Sequence, residues 1–125
     1  MSIRDAILKQ TEQSLPCEPV TFAGQNVYVR TMTGAERDGF ETAYLESKAR
    51  SKPNIRGTMA AFTLCDENGQ RLFNDEDAEA LSKLPAAELD RVFSLGQKLN
   101  KITEADVEEL EGNSEATSAD GSTSA

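Results

Sequence analysis

Histidine is absent from this chain, and with it the commonest general base of enzyme sites. No Ser-His-acid triad can be assembled from these residues alone. Two cysteines without a histidine also fall short of the common four-ligand zinc site. Cys17 and Cys65 stand far apart, without metal-motif spacing, and read as two reduced thiols of a reducing compartment rather than as a disulfide. Tryptophan is missing too, and aromatic residues make up only 6% of the 125 residues, so one domain with a lean core is expected. No apolar run approaches the length of a membrane span. The opening Met-Ser-Ile-Arg-Asp-Ala-Ile-Leu has no long apolar stretch before a small-residue cleavage site, and no signal peptide is expected. A glycine-rich phosphate loop is lacking as well; Thr33-Gly34 is a helix start.

Acidic residues are abundant, with 22 against 13 Lys and Arg. Seven of the acids (Glu104, Asp106, Glu108, Glu109, Glu111, Glu115 and Asp120) fall after residue 103, where there is no base. The first 103 residues therefore carry 15 acids and 13 bases, a net charge of −2 out of the whole chain's −9. The body is nearly neutral and the acidity belongs to the C-terminus, which excludes a basic nucleic-acid face.

Carboxylates are too plentiful to mark a catalytic pair. Glu36, Asp38 and Glu41 read as a solvated helix face. Residues 66–77 superficially resemble a calcium loop, but Gly69 holds the fourth position instead of the sixth, and a turn is the better reading. Arg30 and Arg37 flank a strand-to-helix turn. They are either a recognition pair for an acidic partner or internally paired with acids such as Asp38 or Glu41, and the internal pairing is favoured. No catalytic residue, cofactor site or metal site is expected.

Local signals divide the chain clearly. Ser2 can cap a helix from Ile3 to about Gln10, with Ile3, Ala6 and Ile7 on one face. Pro16 and Pro19 then bar a helix. Val20 and Phe22, followed by Gly24-Gln25-Asn26 and then Val27 and Val29, predict a β-hairpin, with Tyr28 and Arg30 on the face opposite Val27 and Val29. Thr33 and Glu36 form a capping box for a helix from Gly34 to about Ala49, whose apolar stripe is Phe40, Ala43, Tyr44 and Ser47. Asn54 can cap the next helix, in which Ala60 to Cys65 is the most buried run. Asp66-Glu67-Asn68-Gly69 is a turn. Asn74 begins a short helix ending near Leu84, and Pro85 opens a longer one with Leu89, Val92, Phe93, Gly96 and Leu99 in a stripe to about Lys101. Thr103 and Asp106 form a second capping box, before a short acidic helix with Val107 and Leu110 on one face. From Gly112 to Ala125 no side chain is both apolar and larger than alanine, so disorder is expected. The expected fold is thus α+β: a mostly helical single domain over 1–111 with a small antiparallel hairpin near its N-terminus, then a disordered acidic tail over 112–125.

Val27-Tyr28-Val29-Arg30-Thr31-Met32-Thr33-Gly34-Ala35-Glu36-Arg37-Asp38 and Leu64-Cys65-Asp66-Glu67-Asn68-Gly69-Gln70-Arg71-Leu72-Phe73 together resemble the tail assembly chaperones of long, noncontractile-tailed bacteriophages. So do the opening Ser2-Ile3-Arg4-Asp5 and the stretch from Leu99 to Leu110, and the likeness keeps its order over about residues 2–110. The resemblance implies a non-enzymatic protein of the bacterial host cytoplasm. Such a protein coats the tape measure protein, keeps it soluble, helps recruit the tail tube protein and leaves before the virion is complete. It also implies a longer product made by ribosomal slippage near the 3′ end of the gene. Glu111-Gly112-Asn113 can be encoded GAG-GGA-AAC, which contains a slippery heptamer. Apolar side chains left over from the core are the expected contacts, and Leu99, Ile102, Val107 and Leu110 are the candidates for protein binding. Self-association is a further expectation from the small core. The competing reading is a small acidic adaptor or a DNA-mimicking inhibitor. Mimicry, however, needs acids spread over a folded face, and here they gather at one end.

Overall fold

A computed structural model describes residues 2–118. Ser2 caps helix α1 (Ile3–Lys9), its hydroxyl accepting the Asp5 amide at 3.1 Å, and a 3-10 turn follows to Glu12. Strands β1 (Cys17–Phe22) and β2 (Gln25–Arg30) pair antiparallel, with Val20 opposite Val27 and Phe22 opposite Gln25. Ala23 and Gly24 alone make the turn, at φ 51° and 78°, the left-handed pair of a type I′ turn whose twist matches the strands. The tighter turn puts Gln25 and Asn26, read from sequence as loop, into β2. The Glu88 carboxylate accepts the Ala23 amide at 2.8 Å and ties this turn to the body.

Residues 16 and 31 are bonded across the hairpin, Thr31 donating to the Pro16 carbonyl at 2.9 Å. By alternation the nitrogen of Pro19 then faces the outer edge of β1, where a missing N–H costs no ladder bond. Val29 is fully buried and Phe22 nearly so, both on the sheet face that joins the core. Tyr28 and Arg30 occupy the opposite face, as expected from the period of two.

Helix α2 (Gly34–Ala49) starts at the expected capping box, with Thr33 Oγ1 accepting the Glu36 amide at 3.1 Å and the Glu36 carboxylate accepting the Thr33 amide at 2.9 Å. It buries Phe40, Tyr44 and Ser47. Helix α3 (Ile55–Thr63) runs through the middle of the domain with all but Arg56 buried. Phe62 meets Phe40 edge to face, ring centres 6.3 Å apart. The Asn54 side chain accepts the Thr58 hydroxyl at 2.8 Å and does not cap the helix.

The buried run Ala60–Cys65 is not helical throughout. At Leu64 the chain turns extended, and β3 (Leu64–Cys65) adds to β2 as a third strand, with Val29 opposite Leu64 and Tyr28 opposite Cys65. Two residues are too few to show strand alternation, so the sequence pattern carries no sign of it. The sheet order is β1-β2-β3. The Asp66–Gln70 turn then closes on itself, with Asp66 Oδ1 accepting the amides of Asn68 and Gln70 at 2.8 and 3.0 Å.

Helix α4 (Ala78–Leu81) is short, and α5 (Ala86–Asn100) follows Pro85, which stands just before the first helical residue. Gly57 and Gly96 let these helices approach α3. A Cβ on Gly57 would stand 2.4 Å from the Ala78 carbonyl oxygen, and one on Gly96 2.7 Å from Met59 Sδ. α5 ends at Lys101, which is left-handed at φ 54°. There the Ile102 amide bonds the Gln97 carbonyl at 2.9 Å, a Schellman closure with lysine where glycine is usual. Helix α6 (Glu104–Ser118) opens with the second expected box, Thr103 amide to Asp106 Oδ2 at 3.0 Å and Asp106 amide to Thr103 Oγ1 at 3.1 Å. Its backbone continues past 112, where the sequence reading begins the disordered tail; residues 119–125 of that tail lie outside the described residues.

Candidate functional site

The four candidate contact residues sit at the corner where α5 turns into α6. Leu99 projects from the last turn of α5 and is half-buried against the core. Ile102 follows the left-handed Lys101, in the position where a Schellman closure places its apolar contact, and is only 3% exposed. Val107 and Leu110, one helical turn apart on α6, are 7% and 9% exposed and belong to the same core. The structure thus brings the four together. In this conformation Ile102, Val107 and Leu110 face inward and seat α6 on the domain, while Leu99 is only half-covered.

The seat of α6 includes a polar latch. The Lys48 ammonium donates to the backbone carbonyls of Leu110, at 3.0 Å, and Glu111. It also lies 5.5 Å from the centre of the Tyr44 ring, a cation–π arrangement. Burial, and secondarily the Glu111 carboxylate, raise the Tyr44 phenol above its ordinary pKa. Among the described residues, the contact holding α6 near residue 110 is therefore small: two apolar anchors and one lysine.

The arginines of the strand-to-helix turn are paired internally. Arg30 is nine-tenths buried and bonds the Glu36 carboxylate, while Arg37 pairs with Glu41 at 3.2 Å. Burial raises the Glu36 carboxyl, but the Thr33 amide and the Arg30 guanidinium together outweigh it and leave its pKa below the ordinary value. Glu36 thus serves the helix cap and the buried cation at once. Arg30 Nε has no hydrogen-bond partner among the described residues.

The two cysteines are free. They flank β2, Cys17 across from Arg30 and Cys65 across from Tyr28. Two strand spacings separate them by roughly 10 Å, beyond the ~7 Å that a disulfide can span. Burial, then the neighbouring Cys17, push the Cys65 thiol up to about 11. Among the described residues no group of His, Cys, Asp or Glu is placed to hold a metal ion. No described helix is long and apolar enough to cross a membrane.

Two surface features escaped the sequence reading. α1 buries none of its residues, and Ile3, Ile7 and Leu8 are 81%, 63% and 47% exposed. Their shared helical face was legible, but whether a neighbour covers it is a tertiary fact. The second is a groove of about 690 Å³ over the outer face of the hairpin, reaching from Pro19 and Tyr28 to the half-exposed Leu72. In the sequence Leu72-Phe73 is an apolar pair, and nothing local marks which of the two turns outward.

The fold is similar to that of the bacteriophage HK97 tail assembly chaperone. The likeness has a TM-score of 0.51 at 18% sequence identity and covers 74% of this chain and 96% of that one. It establishes a tail-assembly-chaperone-like fold. No family model matches the chain, and no curated protein matches it in sequence.

Proposed function

We propose that this protein is a non-enzymatic tail assembly chaperone of a long, noncontractile-tailed bacteriophage or prophage. It acts in the bacterial host cytoplasm, binds the tape measure protein, keeps it soluble, promotes tail tube assembly and is absent from the mature virion. The observation that supports this most is an agreement. The stretches that resemble the family in sequence, Val27–Asp38 and Leu64–Phe73, supply most of β2, the capped start of α2 and β3, in a fold similar to that of a known tail assembly chaperone.

The tape measure partner is long and helical, so many copies binding weakly along it gain avidity by repetition. A helix laid in an apolar groove is the recognition mode that suits such a partner. On this reading Leu99, Ile102, Val107 and Leu110 meet the tape measure when α6 lifts. The small seat of α6 among the described residues, with its Lys48 latch, supports that step. A frameshifted longer product, slipping at Glu111-Gly112-Asn113, would carry the contact to the tail tube protein.

Co-expression with the tape measure protein tests the proposal. The tape measure should move from the insoluble to the soluble fraction and be recovered in complex with this chain. Equal insolubility with and without this protein would sink the reading. The frameshift is settled by the gene: absence of a slippery heptamer at or beside codons 111–113 removes it.

A further inference from the structure

Among the described residues, no element covers the apolar face of α1. Ile3 and Ile7 lie one turn apart on a single stripe, Leu8 stands beside them, and no residue of the helix is buried. Apolar residues scattered singly need no explanation, but a capped helix whose whole apolar face is open does. The same molecule carries a groove of mixed character across the outer face of β1 and β2, in which Pro19, Tyr28 and Leu72 supply apolar surface beside the polar Thr21 and Asn26. Asp66 and Glu67 border that groove, and no Lys or Arg lines it. α1 contributes Arg4 and Lys9 against a single acid, Asp5. Arg4 already lies 3.5 Å from Asp5 in an exposed pair, so Lys9 is the cation left over, and the two surfaces share an apolar part and oppose in charge.

We propose that α1 of one molecule docks in the hairpin groove of a second copy of this chain. Ile3, Ile7 and Leu8 enter against Tyr28 and Leu72, while Lys9 faces Asp66 and Glu67. The contact joins two different surfaces, so each copy has one to give and one to receive. Pro19 fits this arrangement. It removes an outward donor from the β1 edge, which turns edge-to-edge strand pairing away and leaves the face of the hairpin as the place to meet. The inference stands apart from the tape measure reading and holds or fails without it.

Sedimentation equilibrium of the full chain tests the docking with two complementary variants. Ile3→Glu/Ile7→Glu disables α1 but leaves the groove, and Leu72→Glu disables the groove but leaves α1. All three positions are solvent-exposed, so both variants should keep the wild-type circular dichroism and melting temperature. Should Leu72→Glu unfold, Thr21→Lys, at an exposed groove position, replaces it. The wild type should self-associate with rising concentration, and each variant alone should associate at least about tenfold more weakly. An equimolar mixture of the two should form a one-to-one heterodimer, because each supplies the surface the other lacks. A wild type that stays monomeric up to about 1 mM, the weakest association considered, contradicts the proposal. So does an α1 variant that associates like the wild type, or a mixture that yields no heterodimer.

Discussion

Asn100 is the residue on which the corner of the fold turns. Its Oδ1 accepts the Met32 amide at 2.7 Å, and its Nδ2 donates to the Gly96 carbonyl at 2.9 Å. One side chain thereby links the end of α5 to the segment between β2 and α2. Asn100→Ala leaves the Met32 amide unpaired in a partly buried site and should cost about 2 kcal/mol, measured by urea denaturation. Nothing local in the sequence marks this role, since its main partner is far away along the chain. Cysteine chemistry offers a second residue-scale prediction. Cys65 is buried and its thiol is pushed up to about 11. In native protein at neutral pH, an alkylating reagent should therefore modify Cys17 well before Cys65, with mass spectrometry of the tryptic peptides as the readout. Equal rates at both would contradict the placement of β3.

At the scale of elements, the helix starts were legible and the joins were not. Both capping boxes, Thr33 with Glu36 and Thr103 with Asp106, appear as read, because a box is closed within four residues. β3 was missed because its stability comes from pairing with β2 and not from its own two residues. The Glu36 box has a pH consequence. Its folded pKa lies below the ordinary 4.5, so its contribution is present above that value and is lost as pH falls through the lower folded one. Glu36→Gln should destabilise the protein by about 3 kcal/mol at pH 7, because the buried Arg30 loses its counter-charge. It should also flatten the acid limb of a stability–pH curve. Unchanged acid sensitivity in the variant would assign that limb to other carboxylates. α6 gives the second element-scale prediction. Lys48→Met keeps most of the apolar stem but removes the bonds to the Leu110 and Glu111 carbonyls. Amide exchange over residues 104–112 should accelerate while the sheet and α3 stay protected.

At the scale of the molecule, the sequence reading reached the fold class and the order of the helices and hairpin, but not the third strand or which apolar surfaces remain open. Ile102, Val107 and Leu110 were legible as an apolar set and proved to be interior, because an i, i+3 pair on a short helix looks alike whether it meets the core or a partner. The exposed face of α1 is the reverse case. Both outcomes depend on where distant elements stop, which no local pattern encodes. The chaperone reading therefore rests on fold and ordered resemblance together, and its chemistry is that of covering apolar helix.

Co-expression with the cognate tape measure protein tests this most directly, with soluble tape measure quantified after centrifugation. The account predicts a large rise in the soluble fraction and co-purification of the two chains. It also predicts a weaker effect when Leu99 and Ile102 are changed to serine in a variant shown to remain folded. Tape measure that precipitates to the same extent with and without this protein would contradict it.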